Sequence, residues 1–175
     1  MKPDITRQQE SFVSEEWGEL GFQGKDPSTD FRGMGMLAAN QLLFFSEKRQ
    51  TTAIRILTES MHPVRYFPFA VVGINISKFI MDLLEETRLH AYIFAHLDKI
   101  YLNESFSLEH GPSANARIVH RIIFEHINDI YCDVFELFIA KWIQKDPKNG
   151  VMAFPKLFEE IKVSFRGIMK KVHEY

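Results

Sequence analysis

Between residues 113 and 145, apolar side chains recur at Val119, Ile122, Ile123, Ile127, Ile130, Val134, Phe138 and Trp142. Steps of three and four fit a helix with 3.6 residues per turn and do not fit the two-residue repeat of a strand. A helix over this whole stretch exceeds the usual length, which leaves room for a bend or a break. Its apolar stripe must be buried, and the rest of the chain offers only helices to bury it. Apolar and small residues recur at 31, 34, 35, 38, 42 and 45. A polar joint at 46–50 leads to a further stretch at 52–61, which Pro63 stops because proline cannot continue the hydrogen-bond ladder. Pro68 opens a long apolar helix running toward Arg88, and Pro155 opens a last one over 156–171. Asp4 caps a short first helix reaching residue 16, and another helix covers 89–102, followed by a weakly patterned loop at 103–112. Residues 18–29 read as a loop, and 146–150 as a turn. No alternating pattern of useful length occurs. The expectation is an all-α, single-domain bundle of about six to eight helices.

Composition narrows the function classes. At 175 residues the chain suits one domain rather than two marginal ones. A net charge of -2 offers no basic field for nucleic acid. The longest apolar stretch, 67–84, is interrupted by Gly73, Asn75, Ser77, Lys78 and Asp82, which reads as a buried helix and not a transmembrane segment. The polar N-terminus is no signal peptide. Cys132 is the one cysteine and sits in an apolar helical stretch, which points to a buried thiol in a reducing, cytoplasmic compartment.

Familiar chemistry is missing. Gly24-Lys25 has Glu19 and Asp26 where a phosphate loop needs glycine and Ser or Thr. The run from Gly33 to Ala38 matches a dinucleotide pattern in letters only, because no strand precedes it. The histidines form no pair at helical spacing, so no zinc or di-iron site is expected, and no Gly-x-Ser-x-Gly elbow exists. No metal or cofactor is called for.

Local rules fail in one place. Asp30 reads as the N-cap of a helix starting at Phe31. Gly33 and Gly35 then fall in its first two turns, where each glycine costs roughly 0.5–1 kcal/mol relative to alanine. Arg32 puts a cation at the positive end of the helix dipole. The local explanation is an Asp30–Arg32 ion pair or an Arg32 contact to the preceding loop. The alternative is a surface left bare for close approach of another backbone.

The segment from Trp17 through Gly21-Phe22-Gln23, Pro27 and Asp30-Phe31-Arg32 to Gly35 closely resembles the signature of ELMO domains: Trp, three residues, Gly-Phe-Gln, three residues, Pro, two residues, Asp-Phe-Arg, two residues, Gly. The run from Phe67 to Ile76 and the region 142–154 also look like the family, so the resemblance covers nearly the whole chain, as one ELMO domain over 1–175 with a short N-terminal helix at 1–16 and the signature loop and helix start at 17–35. Ala39 departs from a leucine usual in the family, and only the sixteen residues before Trp17 stand where ELMOD proteins carry a longer helical part.

That resemblance implies an ELMOD-branch protein: not a stand-alone enzyme but a GTPase-activating protein for Arf and Arf-like small GTPases, with Arg32 as an arginine finger supplied in trans. Asp30 and Phe31 would orient Arg32, Gly33 and Gly35 would admit the partner's loops, and Gln23 would hydrogen-bond the loop backbone or, as the second choice, touch the partner. Trp17, Gly21, Phe22 and Pro27 would hold the loop to the body. The rival is a non-catalytic, GTPase-binding or scaffold module of the same type. The resemblance also implies peripheral association with organelle membranes or the cytoskeleton. It leaves oligomeric state open.

Overall fold

A computed structural model of the chain describes residues 13–86, 89–90, 93 and 112–172. The expected first helix, the 89–102 helix and the 103–112 loop lie largely or wholly outside them. The described elements are α1 (Glu16–Glu19), a 3₁₀ segment (Pro27–Gly33), α2 (Gly35–Lys48), α3 (Gln50–Ser60), α4 (Phe69–Glu85), α5 (Pro112–Lys145) and α6 (Gly150–Val172). Among the described residues every regular element is helical, and the all-α expectation is met.

The 113–145 stripe forms one unbroken helix, α5, 34 residues long. Val134, Phe138 and Trp142 from that stripe are fully buried, together with the neighbouring Tyr131, Cys132 and Phe135. α5 lies against α2, α4 and α6, and α2 also packs on α3 and α4. Aromatic rings knit these helices. Phe135 stacks on Phe45 of α2 at 4.9 Å and on Phe69 of α4 at 5.1 Å. Phe67 meets Phe138 and Trp142 edge-on at 5.1 and 5.2 Å. Each fully buried phenylalanine contributes about 1.5–3 kcal/mol by leaving water, so this cluster dominates the core. The Trp142 indole N–H donates to the Arg65 carbonyl at 2.8 Å, satisfying the one polar atom the ring takes inside.

Besides α1, which runs Glu16–Glu19 into the expected 18–29 loop, four boundaries differ from the sequence reading. The polar joint at 46–50 shrinks to Arg49 alone, with φ −121° and ψ 41°, because α2 runs on to Lys48 and α3 starts at Gln50. Arg49 is held at this break by ion pairs to Asp133 and Glu136 of α5. The last helix starts at Gly150, so Pro155 lies inside it. Proline there removes only the hydrogen bond to the Val151 carbonyl; Val151 is exposed, so water can serve that group. α4 ends at Glu85, short of Arg88.

The fourth change concerns the site. Residues 27–33 form a 3₁₀ segment that Asp26 caps, and the α-helix begins only at Gly35. Asp30 is therefore not an N-cap, and Gly33 is not in an α-helical turn. Gly35 carries φ +54°, a conformation that glycine adopts without a steric penalty, so this residue makes the joint between the 3₁₀ segment and α2 possible rather than weakening a helix.

Candidate functional site

The signature segment is fastened to the body through the start of α4. That helix has no side-chain cap. Its first amides are free to bond outward, and the Ala70 and Val71 N–H groups donate to the carbonyls of Leu20 and Gly21 at 3.0 and 3.3 Å. The loop caps the helix and the helix fixes the loop. Gly21 makes this approach possible: its φ is +79°, and an added Cβ would stand 2.3 Å from the Phe69 nitrogen.

Above this anchor three rings form a ladder. Trp17 meets Phe22 edge-on at 5.5 Å, and Phe22 meets Phe31 at 5.5 Å. Two aspartates then tie down the backbone. Asp26 accepts from the Ser28 N–H at 2.9 Å, and its main-chain carbonyl accepts from the Thr29 hydroxyl at 2.9 Å. Hydrogen bonding by Ser28 holds the Asp26 carboxyl below its ordinary value, and the Arg32 charge adds to the effect. Asp30 accepts the Gln23 N–H at 2.9 Å, bracing the loop against the 3₁₀ segment. Gln23 thus engages the 3₁₀ segment through its own main-chain amide.

Arg32 is exposed on this braced turn. Its Nε donates to the Thr29 carbonyl at 3.0 Å, which is the contact to the preceding residues that the spacing allowed. No ion pair to Asp30 forms, and among the described residues nothing engages the two terminal guanidinium nitrogens. Lys25, by contrast, is paired with Glu15. Gly33 and Gly35 have open space where side chains would stand, so no neighbouring part of the described chain uses their bareness.

Sequence reasoning missed a groove. Trp17, Phe22, Pro27 and Phe31 line one wall, α2 supplies Leu42 and Leu43, and α3 supplies Ile54 and Leu57, around a cavity of about 520 Å³. Leu43 and Ile54 are 57% and 59% exposed, so large aliphatics of two adjacent helices face solvent at the groove's walls. The sequence signal for it was only the count of sixteen phenylalanines, more than a core alone calls for, which does not say where an exposed apolar surface lies. Elsewhere, the described residues hold no group of three or more His, Cys, Asp or Glu placed to bind a metal ion. No described helix is long and apolar enough to cross a membrane.

The sequence model of the ELMO/CED-12 family matches residues 1–158. The chain belongs to the ELMO/CED-12 family. ELMO domain-containing protein 2 of Mus musculus is 31% identical over 159 residues, covering 90% of this chain and 46% of that protein. ELMO domain-containing protein 1 of Mus musculus is 30% identical over 170 residues, covering 87% and 45%. ELMO domain-containing protein B of Dictyostelium discoideum reaches 41% identity over 107 residues, covering 61% and 37%. The chain thus spans about half the length of the curated ELMO relatives it matches. No solved structure matches it.

Proposed function

We propose that this ELMO domain is a GTPase activator that supplies Arg32 in trans to an Arf or Arf-like small GTPase. The reading is carried by an exposed arginine on a braced 3₁₀ turn, with both terminal guanidinium nitrogens unengaged among the described residues. A small GTPase brings its own nucleotide, magnesium and attacking water. What it lacks is positive charge against the oxygens that gain charge in the transition state, and an arginine added there is worth roughly 10³–10⁵ in rate. A guanidinium suits this because it stays charged and presents a planar fork of donors. Rigidity matters as much as charge, since a loosely held donor must be ordered during the reaction. Asp26, Asp30 and the Trp17–Phe22–Phe31 ladder provide that rigidity. Bare Gly33 and Gly35 leave room for the partner's loops. The domain is a regulator of another enzyme, acting on the cytoplasmic side where such GTPases work.

The bond from Arg32 Nε to Thr29 favours one rival, because it shortens the arginine's reach. In that reading the domain binds the GTPase without accelerating it. Single-turnover GTP hydrolysis by a set of purified Arf and Arf-like GTPases decides between them. The wild-type domain is expected to accelerate at least one of them. Arg32→Ala and Arg32→Lys should both abolish the acceleration while leaving the fold intact by circular dichroism. Acceleration that survives in either variant rejects the arginine finger. Nucleotide-dependent binding without acceleration by the wild type selects the rival.

A further inference from the structure

We propose that the apolar groove beside Arg32 is the affinity half of the same contact, receiving apolar side chains from the GTP-bound face of the GTPase; this rests on the reading of Arg32 given above.

The groove and Arg32 are continuous along the chain. Phe31 and Arg32 are consecutive residues of one 3₁₀ segment. Phe31 lines the groove, while Arg32 is exposed to solvent. A partner that takes the guanidinium must therefore lie across the groove's lip. The apolar surface does not stop at the cavity: Leu43 and Ile54 stand exposed at its walls, and Met36, 72% exposed, lies two helical turns before Leu43 on the same face of α2. Apolar surface that the described residues leave exposed, next to a polar functional group, marks an interaction site.

Charge selects the occupant. A lipid surface would be met by free cations around the apolar patch. Here Lys25, Lys48 and Arg49 near the groove are committed elsewhere, to Glu15, to the Phe44 ring and to Asp133 and Glu136, which leaves Arg32 and, beside Ile54, Arg55 among the described residues, short of the cluster of about four or more cations that recognises anionic lipid. A second copy of this chain would bring its own Arg32 to the same face and cover the group that the reaction needs. A GTPase surface has neither drawback. Its phosphate-sensing loops are ordered by GTP, so the apolar side chains they carry are presented only in the state that has a bond to hydrolyse. The groove then gives affinity and nucleotide selectivity, and Arg32 gives rate.

The two roles separate kinetically. With the responsive GTPase, single-turnover hydrolysis is followed against domain concentration for wild type, Leu43→Glu, Ile54→Glu and the milder Leu43→Ala and Ile54→Ala. Binding to the same GTPase loaded with a non-hydrolysable GTP analogue is measured in parallel. The glutamate variants are expected to raise the half-saturating concentration by roughly tenfold or more while the plateau rate stays within about twofold. Arg32→Ala should do the reverse. Unchanged half-saturation and binding in the Glu variants overturns the groove proposal while leaving the arginine finger standing. Wild-type binding that Ile54→Glu abolishes, with no acceleration at any concentration, overturns the finger and keeps the groove. Absence of binding by the wild type overturns both. Normal GTPase binding by Ile54→Glu, combined with loss of self-association or of retention on phosphatidylcholine vesicles, assigns the groove to a second copy or to lipid and rejects the proposal. Should the Glu variants fail to fold, the alanine pair carries the same comparison, with a smaller rise in half-saturation expected and no rise overturning the proposal.

Discussion

Gly21 backs directly onto the main chain of Phe69. An added Cβ would stand 2.3 Å from the Phe69 nitrogen and 2.7 Å from the Pro68 carbonyl carbon, and the glycine's φ of +79° disfavours any side chain. The neighbouring carbonyl of Leu20 caps Ala70 across the same junction. Gly21→Ala is therefore expected to cost about 2–5 kcal/mol, from backbone strain plus a clash with atoms that cannot rotate away. Gly33→Ala meets open space and should be nearly neutral for stability. Urea denaturation of the two variants checks the contrast; equal losses would mean that the loop is not seated on α4.

How much of this was readable beforehand depends on the range of the interaction concerned. The α5 stripe and the Pro68 start of α4 are written in local spacing, and both appear where the sequence placed them. Asp26 and Asp30 show where such reading fails. Both are good capping residues ahead of an apolar run, and what decides between them is whether residues 27–33 wind as 3₁₀ or α. In the structure Asp26 caps a 3₁₀ turn, and the Asp30 carboxylate is taken up instead by the Gln23 amide from seven positions away. The groove was invisible for a stronger reason. Its walls come from the signature loop, α2 and α3, and the exposure of Leu43 and Ile54 has no local signature.

Asp30 should hold the loop through one charge-assisted hydrogen bond. Asp30→Ala leaves the Gln23 amide without its acceptor, and such bonds are worth about 1.5–3 kcal/mol. Gln23 amide protection in hydrogen exchange is expected to fall by about tenfold or more, with smaller changes in the α5 core. Asp30→Asn keeps an acceptor oxygen and should recover part of the protection. Full protection in Asp30→Ala would show that the aromatic ladder alone positions the loop.

The Asp26 cap should be acid-sensitive. Its folded carboxyl is held below its ordinary value, chiefly by Ser28. A depressed folded value stabilises the folded state above the unfolded value, near pH 4, and the contribution is lost as pH falls through the folded value. The Ser28 amide resonance is expected to titrate with a midpoint below that of a free aspartate, and Asp26→Asn should remove the titration. A midpoint at or above about 4 contradicts the cap.

Cys132 is expected to be inert while the domain is folded. It is fully buried in α5, and burial pushes its thiol up to about 12, overriding the nearby Arg49 charge. The thiolate is the reactive form, so native protein at pH 8 should resist alkylation by iodoacetamide and take up label only as denaturant unfolds it. The same raised value makes the folded state lose relative stability as pH climbs past the ordinary cysteine range, because the unfolded thiol ionises first. Rapid labelling at neutral pH without denaturant would mean that α5 opens locally around residue 132.

Gln41 and Tyr131 place polar atoms in the core at a cost. Gln41 is fully buried on α2 and Tyr131 on α5, and among the described residues neither the Gln41 amide nor the Tyr131 hydroxyl has a hydrogen-bond partner. A buried polar group left unpaired costs about 1–3 kcal/mol, whereas an apolar group of the same shape costs almost nothing. Tyr131→Phe keeps the ring that packs on Phe45 and Phe135 and removes only the hydroxyl. It is expected to raise stability by about 1 kcal/mol, and Gln41→Met by about 1–2 kcal/mol. Thermal and urea unfolding of each variant measures this directly. A loss in either would show that the group is hydrogen-bonded in solution, and the double variant then tells whether the two share a partner, since independent sites add and coupled ones do not.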